Sequence, residues 1–200
     1  MLTIHECLYT FYPINMPRIP QQGKNGGALL SPSTRYRRLA AGVLQRVLPG
    51  VMIGTGDLLT DERVMPLLHA RQPAVVMNMV SALRYHGMTT QIPDALSVAL
   101  PRGVRMPRTF GFPVQVWYTT PKLLEGCSMV VDGGHGPFLV TTPERTVVDC
   151  FKYRNKIGLS IFLEALSMSH GRLNASLLHA EASRLRVLTG VLPYLKSYFS

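Results

Sequence analysis

The sequence predicts an α+β protein: a basic helix and hairpin first, an antiparallel set of strands in the middle, and a helical C-terminal third. Three observations carry that expectation. Apolar residues recur at helical spacing from Ser33 and again through most of the chain beyond Thr142. Alternating and β-branched runs bounded by Gly and Pro fill much of the stretch from Leu96 to Thr141. Thr142-Pro143 marks the change of regime, because a hydroxyl caps free amides and Pro fits a first helical turn.

Residues 1–33 contain Pro13, Pro17, Pro20, Gly23, Gly26, Gly27 and Pro32, which interrupt any helix of useful length, so little order is expected there. His5, Glu6 and Cys7 are adjacent ligand types, but adjacency alone makes no coordination sphere. From Ser33, Tyr36, Leu39, Ala40 and Val43 follow the pattern of one buried helix face, which leaves Thr34, Arg35, Arg37 and Arg38 off it. Gly42 ends that helix, and residues 43–53 read as two short strands turning at Pro49-Gly50. A basic helix followed directly by a hairpin is the second half of a winged helix-turn-helix. In such a module Arg side chains meet phosphates or guanine edges while the hairpin lies along the nucleic-acid backbone.

Thr60-Asp-Glu caps a helix running to about Ala70, and Pro73 to His86 reads as a core helix closed by Gly87. His86 falls in its last turn, where an imidazole reaches free carbonyls, so its expected role is structural. Strands are expected at Leu96–Leu100 and Pro113–Tyr118, then a short helical turn from Pro121 to Leu124. Arg102, Arg105 and Arg108 form a second basic cluster in the loop between those strands. Met129–Asp132 and Phe138–Thr141 flank a glycine-rich turn around His135; it joins strand to strand with no Lys-Ser or Lys-Thr after it, so it is no phosphate loop. The helix begun at Thr142 carries Glu144, Arg145, Asp149 and Lys152 off its apolar stripe, with i,i+4 and i,i+3 pairs available. Further helices are expected at Gly158–Ser169, at Asn174–Leu188 with Gly190 as its stop, and at Val191–Phe199.

A hydrophobic content of 46% over 200 residues supports a real core. The net charge of +10, with a pI near 10.0, favours a polyanionic partner, and residues 31–60 hold four arginines against the single acid Asp57. Cys7, Cys127 and Cys150 are widely spaced, which indicates neither a disulfide framework nor a zinc site. No apolar run approaches the roughly 18 residues of a membrane span, and no signal-like segment opens the chain, so a cytoplasmic protein without a membrane partner is expected. Metal-dependent phosphoryl chemistry needs convergent carboxylates. Glu144 and Asp149 are the only pair to propose near a Lys, and their spacing on a helix points them apart, so neither catalysis nor a metal or cofactor is expected.

Three segments together resemble the AbiE-type abortive-infection antitoxins, the AbiEi family of type IV toxin–antitoxin systems. They are Val80-Ser-Ala-Leu-Arg-Tyr-His-Gly-Met88 with Ile92-Pro93 and Val98-Ala-Leu-Pro-Arg-Gly103, then Thr142-Pro-Glu-Arg-Thr-Val-Val-Asp149, then Arg184-Leu-Arg-Val-Leu188, covering roughly residues 35–195. Members of that family are transcriptional autoregulators that act in phage defence. The resemblance implies a winged helix on operator DNA and a C-terminal domain countering a nucleotidyltransferase-type toxin, generally without a stable complex. It assigns Thr34, Arg35, Arg37 and Arg38 to the recognition helix and Arg46 to the wing, within a partial or divergent module at 34–56. Two departures give the module that description: the residues before Ser33 lack the expected first helices, and Leu48-Pro49 replaces a basic pair at the wing tip. The antitoxin domain would span 61–200, with Glu144, Arg145, Asp149 and Lys152 as its exposed working surface.

Overall fold

The structure, a computed structural model, describes residues 31–199 apart from 127, 133 and 170. The His5-Glu6-Cys7 run, Cys127 and the order of residues 1–30 lie outside the described residues. The chain divides into two compact units, one reaching Leu59 and including Arg108–Gly111, the other comprising Thr60–Pro107 and Phe112–Ser200.

In the first unit, α1 (Pro32–Ala40) begins where Ser31 Oγ accepts from the Thr34 amide at 3.2 Å, so the helix starts just before the expected Ser33. It ends in a Schellman pattern: Val43 N donates to Arg38 O at 2.9 Å and Gly42 N to Leu39 O at 3.1 Å, with Gly42 at φ +68°. The expected buried face is corrected here. Tyr36 is 74% and Val43 54% exposed, and no residue of α1 is buried. Strands β1 (Leu44–Leu48) and β2 (Val51–Gly54) pair antiparallel around Pro49-Gly50 as expected. Val47 and Leu48 are buried, and Val47 O accepts from Phe110 N at 2.9 Å.

The second unit opens with α2 (Asp61–Arg71), followed by β3 (Val76–Met77) and α3 (Met79–Tyr85). A single core helix over 73–86 is therefore corrected. Val75, Val76 and Met77 are a continuous buried run, Asn78 is extended, and Met79, the first residue of α3, turns the chain at φ +51°. Strands β4 (Leu96–Pro101), β5 (Val114–Thr119), β6 (Ser128–Asp132) and β7 (Pro137–Thr141) complete a five-stranded sheet ordered β5-β4-β3-β7-β6. The expected antiparallel set is also corrected, because this sheet is mixed: β4–β5 and β3–β7 run parallel, β3–β4 and β6–β7 antiparallel. Leu96 to Leu100 are all buried, the signature of an inner strand covered on both faces.

A 3₁₀ turn, Pro121–Leu123, follows β5. Helix α4 (Pro143–Lys152) begins as the sequence predicts, with Thr142 Oγ1 accepting from the Arg145 amide at 3.3 Å. Its Val147, Val148, Cys150 and Phe151 join Leu83 and Met88 in a core completed by α5 (Arg154–Ile157), α6 (Leu159–Ser169), α7 (Ala175–Arg184) and α8 (Leu188–Phe199). Gly190 is not a stop. The break comes earlier, where Arg186 adopts φ +58°, and Gly190 sits inside α8, where an added Cβ would lie 3.4 Å from the Phe151 ring. Among the described residues no helix is long and apolar enough to cross a membrane.

Candidate functional site

The first unit concentrates exposed positive charge. Arg37, Arg38 and Arg46 are exposed, Arg35 is half-buried, and Thr34 Oγ1 is tied to Ser31 Oγ at 2.9 Å in the first turn of α1. The Arg46 guanidinium lies 5.4 Å and that of Arg108 5.0 Å from the Phe110 ring centroid. Phe110 thus gathers two arginines 62 residues apart in sequence, and cation–π contact restrains both without neutralising either. The sequence grouped Arg108 with Arg102 and Arg105; in the structure Arg108 goes with Arg46 in the first unit, while Arg102 and Arg105 stay in the second. Phe110, four residues before a strand, gave no sequence signal of this role.

The residues expected to form an exposed working surface in the second unit do something different. Glu144, Arg145 and Asp149 are buried, Arg145 with only 2% of its surface accessible, and only Lys152 is half-exposed. The physical reason is the packing of α4, which is covered on nearly every side, so its charged groups must be satisfied internally. Arg145 Nε donates to Asp149 Oδ2 at 2.8 Å, and its Nη1 reaches Leu123 O at 2.7 Å and Glu181 Oε2 at 3.0 Å. Glu181 Oε1 accepts from Arg184 at 3.3 Å, and Arg184 also donates to the carbonyls of Lys122 and Glu125. Glu144 Oε1 accepts from Asn174 N at 3.0 Å, next to the start of α7. The set is a strut fastening the 3₁₀ turn, α4 and α7 together. The i,i+4 pairing was readable from spacing; Glu181 as the third member was not, because it lies 36 residues away.

Electrostatics follow the burial. Desolvation pushes the Asp149 carboxyl up, and the Arg145 guanidinium draws it back down. Burial lowers the Lys152 pKa, while Asp149 acts in the opposite sense. Burial likewise holds the Cys150 thiol well above its ordinary range, as befits an inert core cysteine. The pKa of His86, the C-cap of α3, is lowered by burial, and its Nε2 bonds to Thr141 O in β7 at 2.7 Å rather than to a carbonyl of its own helix end. Beside the strut lies a narrow cleft lined by Asn78, Trp117, Thr119, Lys152 and Tyr153, where Asn78 Oδ1 and Trp117 Nε1 are buried without a hydrogen-bond partner.

Among the described residues no three His, Cys, Asp or Glu side chains converge into a group that would hold a metal ion. Compared with known proteins, the chain matches no family model and no curated protein.

Proposed function

We propose that this chain is a DNA-binding antitoxin, a repressor of its own operon that neutralises a nucleotidyltransferase-type toxin. On this reading α1 is the recognition helix and β1–β2 the wing of a winged helix-turn-helix, and residues 61–200 are the antitoxin domain. One observation supports it most: a short basic helix runs directly into a hairpin within a unit whose described part holds five arginines and one acid. Such a surface gains affinity by releasing counterions from phosphates, so binding should weaken steeply with salt. The chain acts by recognition, not chemistry, in keeping with the engagement of Glu144 by Asn174 and of Asp149 by Arg145. The test is a gel shift on the chain's own promoter: Arg35→Ala/Arg37→Ala/Arg38→Ala together should abolish it, and an unchanged shift refutes the reading.

The division into two units, the second with its own core, favours a second reading in which the antitoxin domain acts without DNA. Residues 61–200 alone should then protect cells co-expressing the toxin. Protection lost on removal of the first unit rejects it.

A further inference from the structure

The cleft beside α4 lies in the second unit, outside the helix and hairpin to which operator recognition is assigned above, and its chemistry points elsewhere. Its floor is one face of the sheet: Trp117 pairs with Ala99 across β4–β5, Ala99 with Val76 across β3–β4, and Asn78 follows two residues after Val76 on the same side. Its roof is the end of α4 with Tyr153. Asn78 is 3% exposed, and its Oδ1 is an acceptor without a donor, whereas Trp117 Nε1 is a donor without an acceptor. Leaving either buried and unpaired costs about 1–3 kcal/mol, so both call for one group that donates and accepts.

The surrounding charge narrows the choice. The Lys152 ammonium lies 5.7 Å from the Tyr153 ring centroid and that of Lys156 5.6 Å from the Trp117 centroid, and the two rings are 4.8 Å apart. Arg102 N donates to the carbonyl of Thr119, a residue of the cleft wall, at 2.8 Å. Two ammonium groups thus flank a Trp–Tyr pair, and the one carboxylate lining the cleft, Asp149, is committed to Arg145. The space measures only about 10 Å³, enough for one oxygen and too little for a whole anion.

We propose that this cleft binds a phosphate-bearing small molecule by its edge. One P–O–H enters, its hydroxyl donating to Asn78 Oδ1 and its oxygen accepting from Trp117 Nε1; a second phosphoryl oxygen at the mouth accepts from the Lys152 ammonium, and the rest of the molecule lies outside, towards Lys156. A single water bridging Asn78 and Trp117 is the competing occupant, and it gives no reason for the cations.

Trp117 is the only tryptophan, so its emission reports on the cleft in the intact chain. The full-length protein is titrated with inorganic phosphate, with a nucleoside monophosphate, with a single-stranded oligonucleotide, and with chloride at matched ionic strength. A saturable change with either phosphate and none with chloride is expected. The stronger ligand of the two assigns the source, a free phosphate or a phosphate ester. Lys152→Met should weaken the response about tenfold or more, the worth of one hydrogen bond to a charged group, and Lys152→Arg should restore it. Asn78→Asp, which fixes a negative charge against the ligand, should abolish it; if that variant fails to fold, the half-exposed Lys152 pair decides alone. No saturable response, an equal response in Lys152→Met, or a response only to a single-stranded oligonucleotide overturns the proposal, the first by leaving a bridging water. The promoter-binding variants do not touch these residues, so the two readings fail separately.

Discussion

Replacing Arg145 by Met tests whether α4 is held by its ion pairs or merely decorated with them. Arg145 and Asp149 expose 2% and 8% of their side chains, so solvent screening takes almost nothing from the pair. The methionine fills most of the stem volume of the arginine but leaves Asp149 charged in a buried site, leaves Arg184 as the ion-pair partner of Glu181, and removes the Arg145 hydrogen bond to Leu123 O. Breaking a buried pair in this way costs about 3–5 kcal/mol. At a urea m-value of about 2–3 kcal/mol/M, the unfolding midpoint should fall by about 1–2 M. The penalty should also depend on pH in a defined sense. Asp149 already has its folded pKa raised above 3.8 by burial, and removing the guanidinium raises it further. A raised folded pKa means that stability is fully present below the unfolded value and lost as pH rises through the folded one. Arg145→Met should therefore approach the parent protein in acid and diverge from it towards neutrality. Urea titrations of both proteins across that range check it. A loss below about 1 kcal/mol at neutral pH, or one that grows in acid, refutes the account of the strut.

Arg46→Ala and Arg108→Ala should each lower the slope of log affinity against log salt for promoter DNA by about 0.9, one phosphate contact apiece. Because both lean on Phe110, their effects should not add, and unchanged slopes in both would remove them from the interface. His86 has a folded pKa depressed below 6.5 by burial, so the stability it contributes is present above that value and lost as pH falls through the folded one. His86→Gln, which keeps an N–H for Thr141 O, should flatten the acid limb of a stability–pH curve by up to about 1.4 kcal/mol per pH unit. An unaltered limb assigns the proton uptake elsewhere. Gly42 sits at φ +68° with open space where a Cβ would go, so Gly42→Ala should cost only backbone strain, about 1–2 kcal/mol, read as a lower melting temperature. No loss would refute the C-cap assignment.

What the sequence made legible was local chemistry. Thr142-Pro143 starts α4 and Pro49-Gly50 turns the hairpin, because capping and turn geometry need only neighbouring residues. Strand β3 was not legible. Two residues embedded in a run with apolar side chains at helical spacing carry no period of their own, and only pairing on both sides, with β4 and β7, makes them a strand. The same holds for Gly190, whose purpose is the nearness of the Phe151 ring and not its conformational freedom. The charged side of α4 misled for a related reason. Spacing reveals that Arg145 and Asp149 can meet, but whether they meet in water or in a core depends on the 3₁₀ turn and α7, which arrive from other parts of the chain.

Among the described residues the positive charge includes two populations that composition adds together. In the second unit Arg145 and Arg184 are tied to carbonyls and to Glu181, and Arg172 donates to the carbonyls of Ser169, His86, Gly87 and Met168. These guanidiniums stitch elements together, and their fork of donors, which a lysine lacks, is what lets one side chain reach several carbonyls. In the first unit Arg37, Arg38, Arg46 and Arg108 are exposed, and Asp57, the one acid described there, accepts from Gly54 N at 3.2 Å. A polyanion meeting this protein gains little from charges already saturated by carbonyls, and most from those restrained only by an aromatic ring or a helix turn. That distinction, more than the net value of +10, is the reason to look for operator contact on α1 and the hairpin, and for a smaller anion where Lys152 and Lys156 stand against Tyr153 and Trp117.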